Sequence, residues 1–380
     1  MPGVHERGHV QPVALDEVAQ GRAGEIGRPR HVGVGSRFVH GSPPWGDQVP
    51  RPAVTSSRRG AHVVDLCRAQ NGHNSRRDSP RSSASRRKPL VPGHGPDWPG
   101  SCWSASPRGQ YENYQPNAIL AGAVPRTVRL RAPDWGFDEA ELRAAFGPRT
   151  KAVFLCHPNN PTGKVYNAEE LALLAELCQR WDVVLVVDSI YEHIHYLGPG
   201  GYLPPARVPG LEDRTITVNA LSKTYAVTGW RVGWTVAPAP LTTAIRKVHD
   251  FLTIAAPAPM QAAGVAAMAL PDAYYTGLAT RYRERRDLLC EALERIGFAL
   301  RRPDGSYYVL CDSAPLDAAR DGTAFAKRLI TEAGVSCVPA VSFWRPEHAD
   351  EGRSMVRFAF PKRLETLHAA VERLEAFARV

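Results

Sequence analysis

Lys223 lies in the run Val218-Asn219-Ala220-Leu221-Ser222-Lys223-Thr224-Tyr225-Ala226-Val227-Thr228-Gly229-Trp230-Arg231-Val232-Gly233-Trp234. A β-like stretch, 215–218, leads into a short polar turn that carries this one lysine. Eight residues later Arg231 stands among small and aromatic residues. A lysine so placed suits an amine held as a Schiff base. An arginine at that distance suits a phosphate, which a guanidinium takes through two donors. Further groups of the same kind are spread along the chain. The run His157-Pro158-Asn159-Asn160-Pro161-Thr162-Gly163-Lys164 comes after a strand-like segment. Its prolines and glycine enforce a tight loop at a strand's carboxyl end, where α/β sheets place ligands. The apolar run 183–187 ends in Asp188, with Tyr191 three residues on. Each has an ordinary reading as well: a plain turn for 159–163, a helix cap for Asp188. Arg357 stands alone in Met355-Val356-Arg357-Phe358-Ala359-Phe360. A guanidinium buried unpaired among such neighbours is costly, which favours a carboxylate ligand over a surface salt bridge.

The elements that must position these groups have a β-α-β rhythm from about Gln110 onward, which argues for an α/β layered domain. Strands are expected at 151–155, 215–218 and 232–236, and at 182–187, whose continuous apolar run suits a parallel strand covered on both faces. Residues 168–180 form an amphipathic pattern through Leu171, Leu173, Leu174 and Leu177. A charged helix over 271–296 leads into a C-terminal part. There 307–311, 335–338 and 354–360 read as strands and 364–377 as a closing amphipathic helix.

The first 110 residues have a different texture. They carry 16 lysines and arginines against 8 acids, so most of the net charge of +9 sits there and the rest of the chain is near neutral. They contain no tyrosine, one isoleucine (Ile26) and one lysine (Lys88). With little periodicity, an irregular or disordered segment is the expectation for residues 1–109. Three origins fit: a natural basic arm, a segment that binds nucleic acid, or a stretch translated out of frame from a GC-rich gene. Binding to nucleic acid is disfavoured, because charge alone gives only non-specific attraction and no zinc-ligand spacing or helix-turn-helix pattern accompanies it. Codons permitted for 99–107 can also encode Gly-Glu-Leu-Leu-Val-Arg-Glu-Pro when read two bases along, which is a buried-strand sequence. No apolar run reaches the roughly 18–20 residues of a membrane span, and no secretory signal is read at the N-terminus. The seven cysteines form no C-x-x-C pair, so reduced thiols in a cytoplasmic enzyme are expected, with no metal site.

In their order and spacing, the motifs around Asn160, Asp188, Lys223 and Arg231 resemble those of the fold-type I, pyridoxal phosphate-dependent aminotransferases of class I/II, kynurenine/methionine aminotransferase-like branch. The resemblance covers about residues 110–380. It implies a large domain with a mostly parallel sheet over 110–280, a smaller α+β domain over 281–380, and a homodimer. It implies an exchange of an amino group between an amino acid and a 2-oxo acid. On the same resemblance Lys223 is the Schiff-base lysine and proton carrier, and Asp188 pairs with the pyridinium nitrogen. Tyr191 and Asn160 bond the cofactor's phenolic oxygen. Arg231 clamps the phosphate with help from Ser222, and Tyr111 stacks on the ring. Arg357, with Asn160, takes the substrate carboxylate. Aromatic or bulky apolar donors are expected from Tyr307, Phe343 and Trp344. A β-lyase, a ring-forming enzyme, or a non-catalytic chain of the same fold are the alternatives. Several positions depart from the family pattern: Ala220 replaces a phosphate-binding serine, Ser189 an acid, and 339–343 a Pro-Gly loop. Near 75–85 nothing matches the glycine-rich helix start that cradles the phosphate, so weak cofactor binding, or none, is expected.

Overall fold

The computed structural model describes residues 62–64, 101–104, 113–344 and 346–379. All lie within one compact unit, Gly60–Val380. The strands in chain order are β1 (His62–Val64), β2 (Ser101–Ser104), β3 (Arg126–Thr127), β4 (Leu130–Arg131), β5 (Gly136–Phe137), β6 (Thr150–Cys156), β7 (Val184–Asp188), β8 (Thr215–Ala220), β9 (Gly233–Ala237), β10 (Ala299–Leu300), β11 (Tyr308–Asp312), β12 (Val338–Pro339) and β13 (Met355–Ala359).

Seven of them form one sheet in the order β1-β9-β8-β7-β6-β2-β3. β6, β7 and β8 run parallel, and β9 turns back antiparallel on β8. The register places Cys156 beside Asp188 and Asp188 beside Val218. Three parallel strands therefore finish at one level, and their outgoing loops emerge at the same edge. The alternation of Val183, Leu185 and Val187 with the half-buried residues between them fills the first core, with Leu171, Leu174 and Leu177 of the helix Ala168–Trp181 packed over it. That helix starts on a capping box: Asn167 accepts from the Glu170 amide, and Glu170 accepts from the Asn167 amide.

β10-β11-β13-β12 make a second, antiparallel sheet. Its own core joins Val309, Cys311, Val356 and Phe358 to Leu289 and Leu293 of the long helix Asp272–Ile296, and to Leu367 and Leu374 of the helix Leu364–Phe377. The segment 304–306 ties the two parts together. Gly305 N donates to Gly163 O, Ser306 N to Ile194 O, and Tyr196 N to Asp304 O, each at 2.8 Å.

Most expected elements are present with ends shifted by a residue or two. Of the strand expected at 335–338 only Val338 pairs with β13, joined by Pro339; the preceding residues leave a π-helical turn, Leu329–Ala333, through Gly334 at φ +64°. Residues 62–64 and 101–104 of the basic N-terminal segment enter the first sheet, and the remainder of that segment lies outside the described residues.

Gly163 has φ +72°, and a Cβ there would meet Pro303 Cβ at 2.2 Å and Gly305 O at 2.8 Å. The loop carrying Asn160 therefore needs glycine twice over, for its backbone and for its neighbour. Gly163→Ala is expected to cost on the order of 2 kcal/mol or more. Denaturant unfolding of the variant against the parent measures it.

Candidate active site

The site is built at the carboxyl ends of β6, β7 and β8. After β6 the chain turns through 157–164, with cis peptides at His157-Pro158 and Asn160-Pro161. Asn159 Oδ1 accepts from the Thr162 amide at 3.3 Å and from Thr162 Oγ1 at 2.8 Å, which closes the loop. Asn160, buried, presents its Oδ1 to Arg357 Nη1 at 2.6 Å. His157 accepts the Tyr166 amide at Nδ1, which leaves Nε2 to donate to Leu203 O at 3.2 Å. Burial holds that imidazole neutral, with a pKa down to about 3.

Asp188 ends β7. Its Oδ2 accepts the Tyr114 hydroxyl at 2.6 Å and its Oδ1 the Ile190 amide at 3.1 Å. Although part of its surface stays accessible, its depth raises the carboxyl above the usual range. The Tyr114 and Ile190 bonds and the charge of Lys223 pull it back down. Tyr191 is buried edge-on against Tyr307 at 5.1 Å and Tyr308 at 6.2 Å, and burial drives its phenol upward. The 3-residue step from Asp188 to Tyr191 is a tight turn closed by Glu192 N onto Ser189 O at 3.0 Å.

Beyond β8, a single helical turn, Leu221–Thr224, carries Lys223, whose Nζ lies 5.8 Å from the centre of the Tyr307 ring. Ser222 is buried, and its carbonyl accepts Thr228 Oγ1 at 3.1 Å. Arg357 projects from the middle of β13. Its guanidinium lies 4.0 Å from the Tyr308 ring centre and 4.5 Å from that of Phe343. Contacts thus run from Lys223 to Tyr307, on to Tyr191 and Tyr308, and from Tyr308 through Arg357 to Asn160. Arg231 stands apart from this chain: it is exposed, with left-handed backbone at φ +56°, and its Nη1 donates to Thr228 O at 2.9 Å within its own turn. Tyr111 and the region 75–85 lie outside the described residues. Trp344 packs into the first core, where Gly352 makes room for its ring.

This geometry agrees with what the chain is similar to. The family pattern Aminotransferase class I and II matches residues 102–374. The chain belongs to the class I and II aminotransferases. A probable N-succinyldiaminopimelate aminotransferase, DapC, of Mycobacterium tuberculosis is 37% identical over 276 residues, spanning 70% of this chain and 69% of that one. Human kynurenine–oxoglutarate transaminase 3 is 32% identical over 293 residues, spanning 70% of this chain and 64% of that one. Among solved structures, the N-succinyldiaminopimelate aminotransferase from Mycobacterium tuberculosis has a TM-score of 0.68 at 37% identity, over 73% of this chain and 72% of that one. The Escherichia coli protein YbdL, with a methionine aminotransferase function, also reaches 0.68, at 31% identity and the same coverage.

The fold is therefore that of the fold-type I aminotransferases, and the reaction is pyridoxal phosphate-dependent transfer of an amino group between an amino acid and a 2-oxo acid. The donor set of this aminotransferase fits that cofactor: an amine on a short turn, a phenol and an amide close by, and a deep carboxylate. Burial disfavours the charge of Asp188, a cost that a cationic ring nitrogen beside it would offset. Among the described residues no cluster of histidine, cysteine, aspartate or glutamate could hold a metal. No helix there is long and apolar enough to cross a membrane.

Sequence reasoning passed over Tyr114 and Glu192. Tyr114 lies three residues past Tyr111, a step that does not reveal its partner Asp188, 74 residues on. Glu192, beside Tyr191, left no periodic signal. Its Oε1 accepts Asn219 Nδ2 at 2.6 Å, and burial pushes its carboxyl up to about 7. Between the unfolded value near 4.5 and the folded value the native state keeps a proton that the unfolded state has released. Stability from this group therefore falls as pH rises through that window. With 27% of the side chain exposed, the effect is on the order of 1–3 kcal/mol. Glu192→Gln removes the titration. Its stability relative to the parent is expected to rise between pH 5 and 7, as read from unfolding midpoints at a series of pH values.

Proposed function

We propose that Lys223 is the amine that would hold the cofactor and would carry the proton of the transfer step. The single observation behind this is the convergence of Lys223, Asp188 and Tyr191 at the shared carboxyl edge of β7 and β8, with Arg357 reached through two tyrosine rings. Asp188 would hold the ring nitrogen and Tyr191 and Asn160 the phenolic oxygen. Arg231 and Ser222 would hold the phosphate, and Tyr111 would stack on the ring. When bound, pyridoxal phosphate supplies an electron sink for the pair left by the amino acid's α-hydrogen. The chain's own task is to keep Asp188 ionised, to set the substrate and to move one proton. Asn160 fixes the plane of the Arg357 guanidinium. Tyr308 and Phe343 flank it, so a substrate carboxylate would meet a charged fork between two aromatic rings.

The substrate read from this pocket is an aromatic or bulky apolar amino acid, supported by Tyr307 and Phe343 beside the lysine and the arginine. The relatives' names point to N-succinyldiaminopimelate, kynurenine and methionine, three donors with extended side chains, and a biosynthetic role fits the first of them. The cytoplasm is the proposed compartment, supported by the free, buried Cys156, Cys178, Cys290 and Cys311. A division into domains at about residue 280 is supported by the second sheet, whose four strands all lie within residues 299–359.

Lys223→Ala is expected to abolish the visible band that added pyridoxal phosphate gives with the parent chain, and with it keto-acid-dependent amino transfer. A band that survives the substitution rejects the assignment. Arg357→Ala should keep the band and lower kcat/KM for the amino acid about a hundredfold or more.

A homodimer is part of the same reading. Phe251 is 92% exposed and Ile254 81%, and Val248, Leu252 and Val265 extend the apolar surface across the helices Ala239–Leu252 and Ala258–Met268. Sedimentation should find two copies of the parent chain, and Phe251→Asp should shift the equilibrium towards one.

A further inference from the structure

We propose that Glu192 is a positioning residue that holds the turn bearing Lys223 in register with the turn bearing Asp188 and Tyr191. This rests on the reading of Lys223 as the cofactor-binding amine. Asn219 makes the connection. It is buried on β8, four residues before the lysine. Its Nδ2 donates to Glu192 Oε1 at 2.6 Å, and its own Oδ1 accepts the Ala220 amide at 2.7 Å. That amide is where the strand ends and the lysine's helical turn begins, because Ala220 is the N-terminal flanking residue of Leu221–Thr224. The carboxylate of Glu192 therefore sets which way the Asn219 amide faces, and the Asn219 amide sets where the lysine's turn starts. The backbone of Asn219 is held by the β8–β9 ladder, where it pairs with Trp234.

The far end of the lysine's turn is tied as well. Tyr274 donates its hydroxyl to Thr224 O at 2.7 Å, and Tyr225 and Tyr275 share a bond of 2.9 Å between hydroxyls. The Tyr275 ring in turn lies 4.6 Å from His193, next to Glu192. Lys223 is thus bracketed by two routes that return to the segment 191–193. Of these two, the Glu192 route is the direct polar link from the residue beside Tyr191 to the strand that ends at the lysine.

The titratable groups facing Glu192 are His193, whose Nε2 lies 3.4 Å away, Tyr202 and Tyr225. Burial lowers the pKa of His193 and raises those of both phenols, so near neutral pH none of the three supplies a counter-charge. The link is therefore a matter of an oxygen acceptor at the right place, which an amide provides equally.

The test uses the full chain, with and without added pyridoxal phosphate. Glu192→Ala should keep the visible band but lower kcat about ten- to a hundredfold, with KM for the amino acid within about twofold, because a displaced amine costs rate and not binding. In the cofactor-free chain the same variant should speed amide exchange across 220–224 about tenfold or more while 151–156 keep their protection. Glu192→Gln should restore both readings. Should Glu192→Ala not fold, Asn219→Asp takes its place. That variant keeps the acceptor for Ala220 N and loses the donor to Glu192, so its kcat should fall above neutral pH and recover in acid, where a shared proton rebuilds the link. A parent chain without the band overturns the reading of Lys223. A normal band, with Glu192→Ala equal to the parent in kcat and exchange, or Glu192→Gln as impaired as the alanine variant, overturns the role of Glu192 alone.

Discussion

The placing of Asn160, Asp188, Tyr191 and Lys223 depends on one constraint: three parallel strands end together. β7 and most of β6 are apolar, β8 carries Thr215, Thr217 and Asn219 in alternation with Ile216 and Val218, and their ladder allows no slip of one residue without turning every side chain to the opposite face. With Cys156, Asp188 and Val218 side by side, the outgoing loops are delivered to one edge. The chemistry of Asn160, Tyr191 and Lys223 is separated by tens of residues in the chain and by neighbouring strands in space. Gly163 and Gly233 mark where this convergence is tightest, since each lies against backbone that leaves no room for a side chain.

Burial sets the electrostatics of the edge. The carboxyls of Asp188 and Glu192 both rise because water is excluded, yet each has a different remedy. Asp188 receives a phenol, an amide and the field of Lys223, whereas Glu192 receives one side-chain amide. Aromatic faces and an amide oxygen flank Arg357 and orient its planar cation. A site with two reluctant carboxyls and one aromatic-clad guanidinium favours ligands that bring both a cation and a carboxylate, as a zwitterionic amino acid does.

Much of this was legible in the chain. The uninterrupted run Val183-Val184-Leu185-Val186-Val187 marks a doubly covered strand because both faces demand apolar residues. Arg357 was conspicuous for the opposite reason, a charge where the pattern wants none. The partners Tyr114 and Glu192 were not legible, since each acts across a separation of 74 or 27 residues that no local period encodes. β2 could not be read from Ser-Cys-Trp-Ser either, since its place between β6 and β3 is fixed by neighbours and not by its own composition. Arg231 is the reverse case: motif spacing singled it out, while its side-chain bond stays inside its own turn.

The stitching at 304–306 has a mechanical consequence. Three short backbone hydrogen bonds fasten this segment to Gly163 on one side and to Ile194 and Tyr196 on the other. The loop that carries Asn160 and the strand that carries Tyr308 are thereby clamped along one flank of the pocket. A molecule entering or leaving cannot pry the two sheets apart at that flank without breaking the clamp. Arg357 sits on β13, a strand of the clamped sheet, with Phe343 of the 3-10 turn Ala340–Phe343 over its guanidinium. Its place relative to Asn160 is therefore fixed through backbone as well as through the side-chain bond between them.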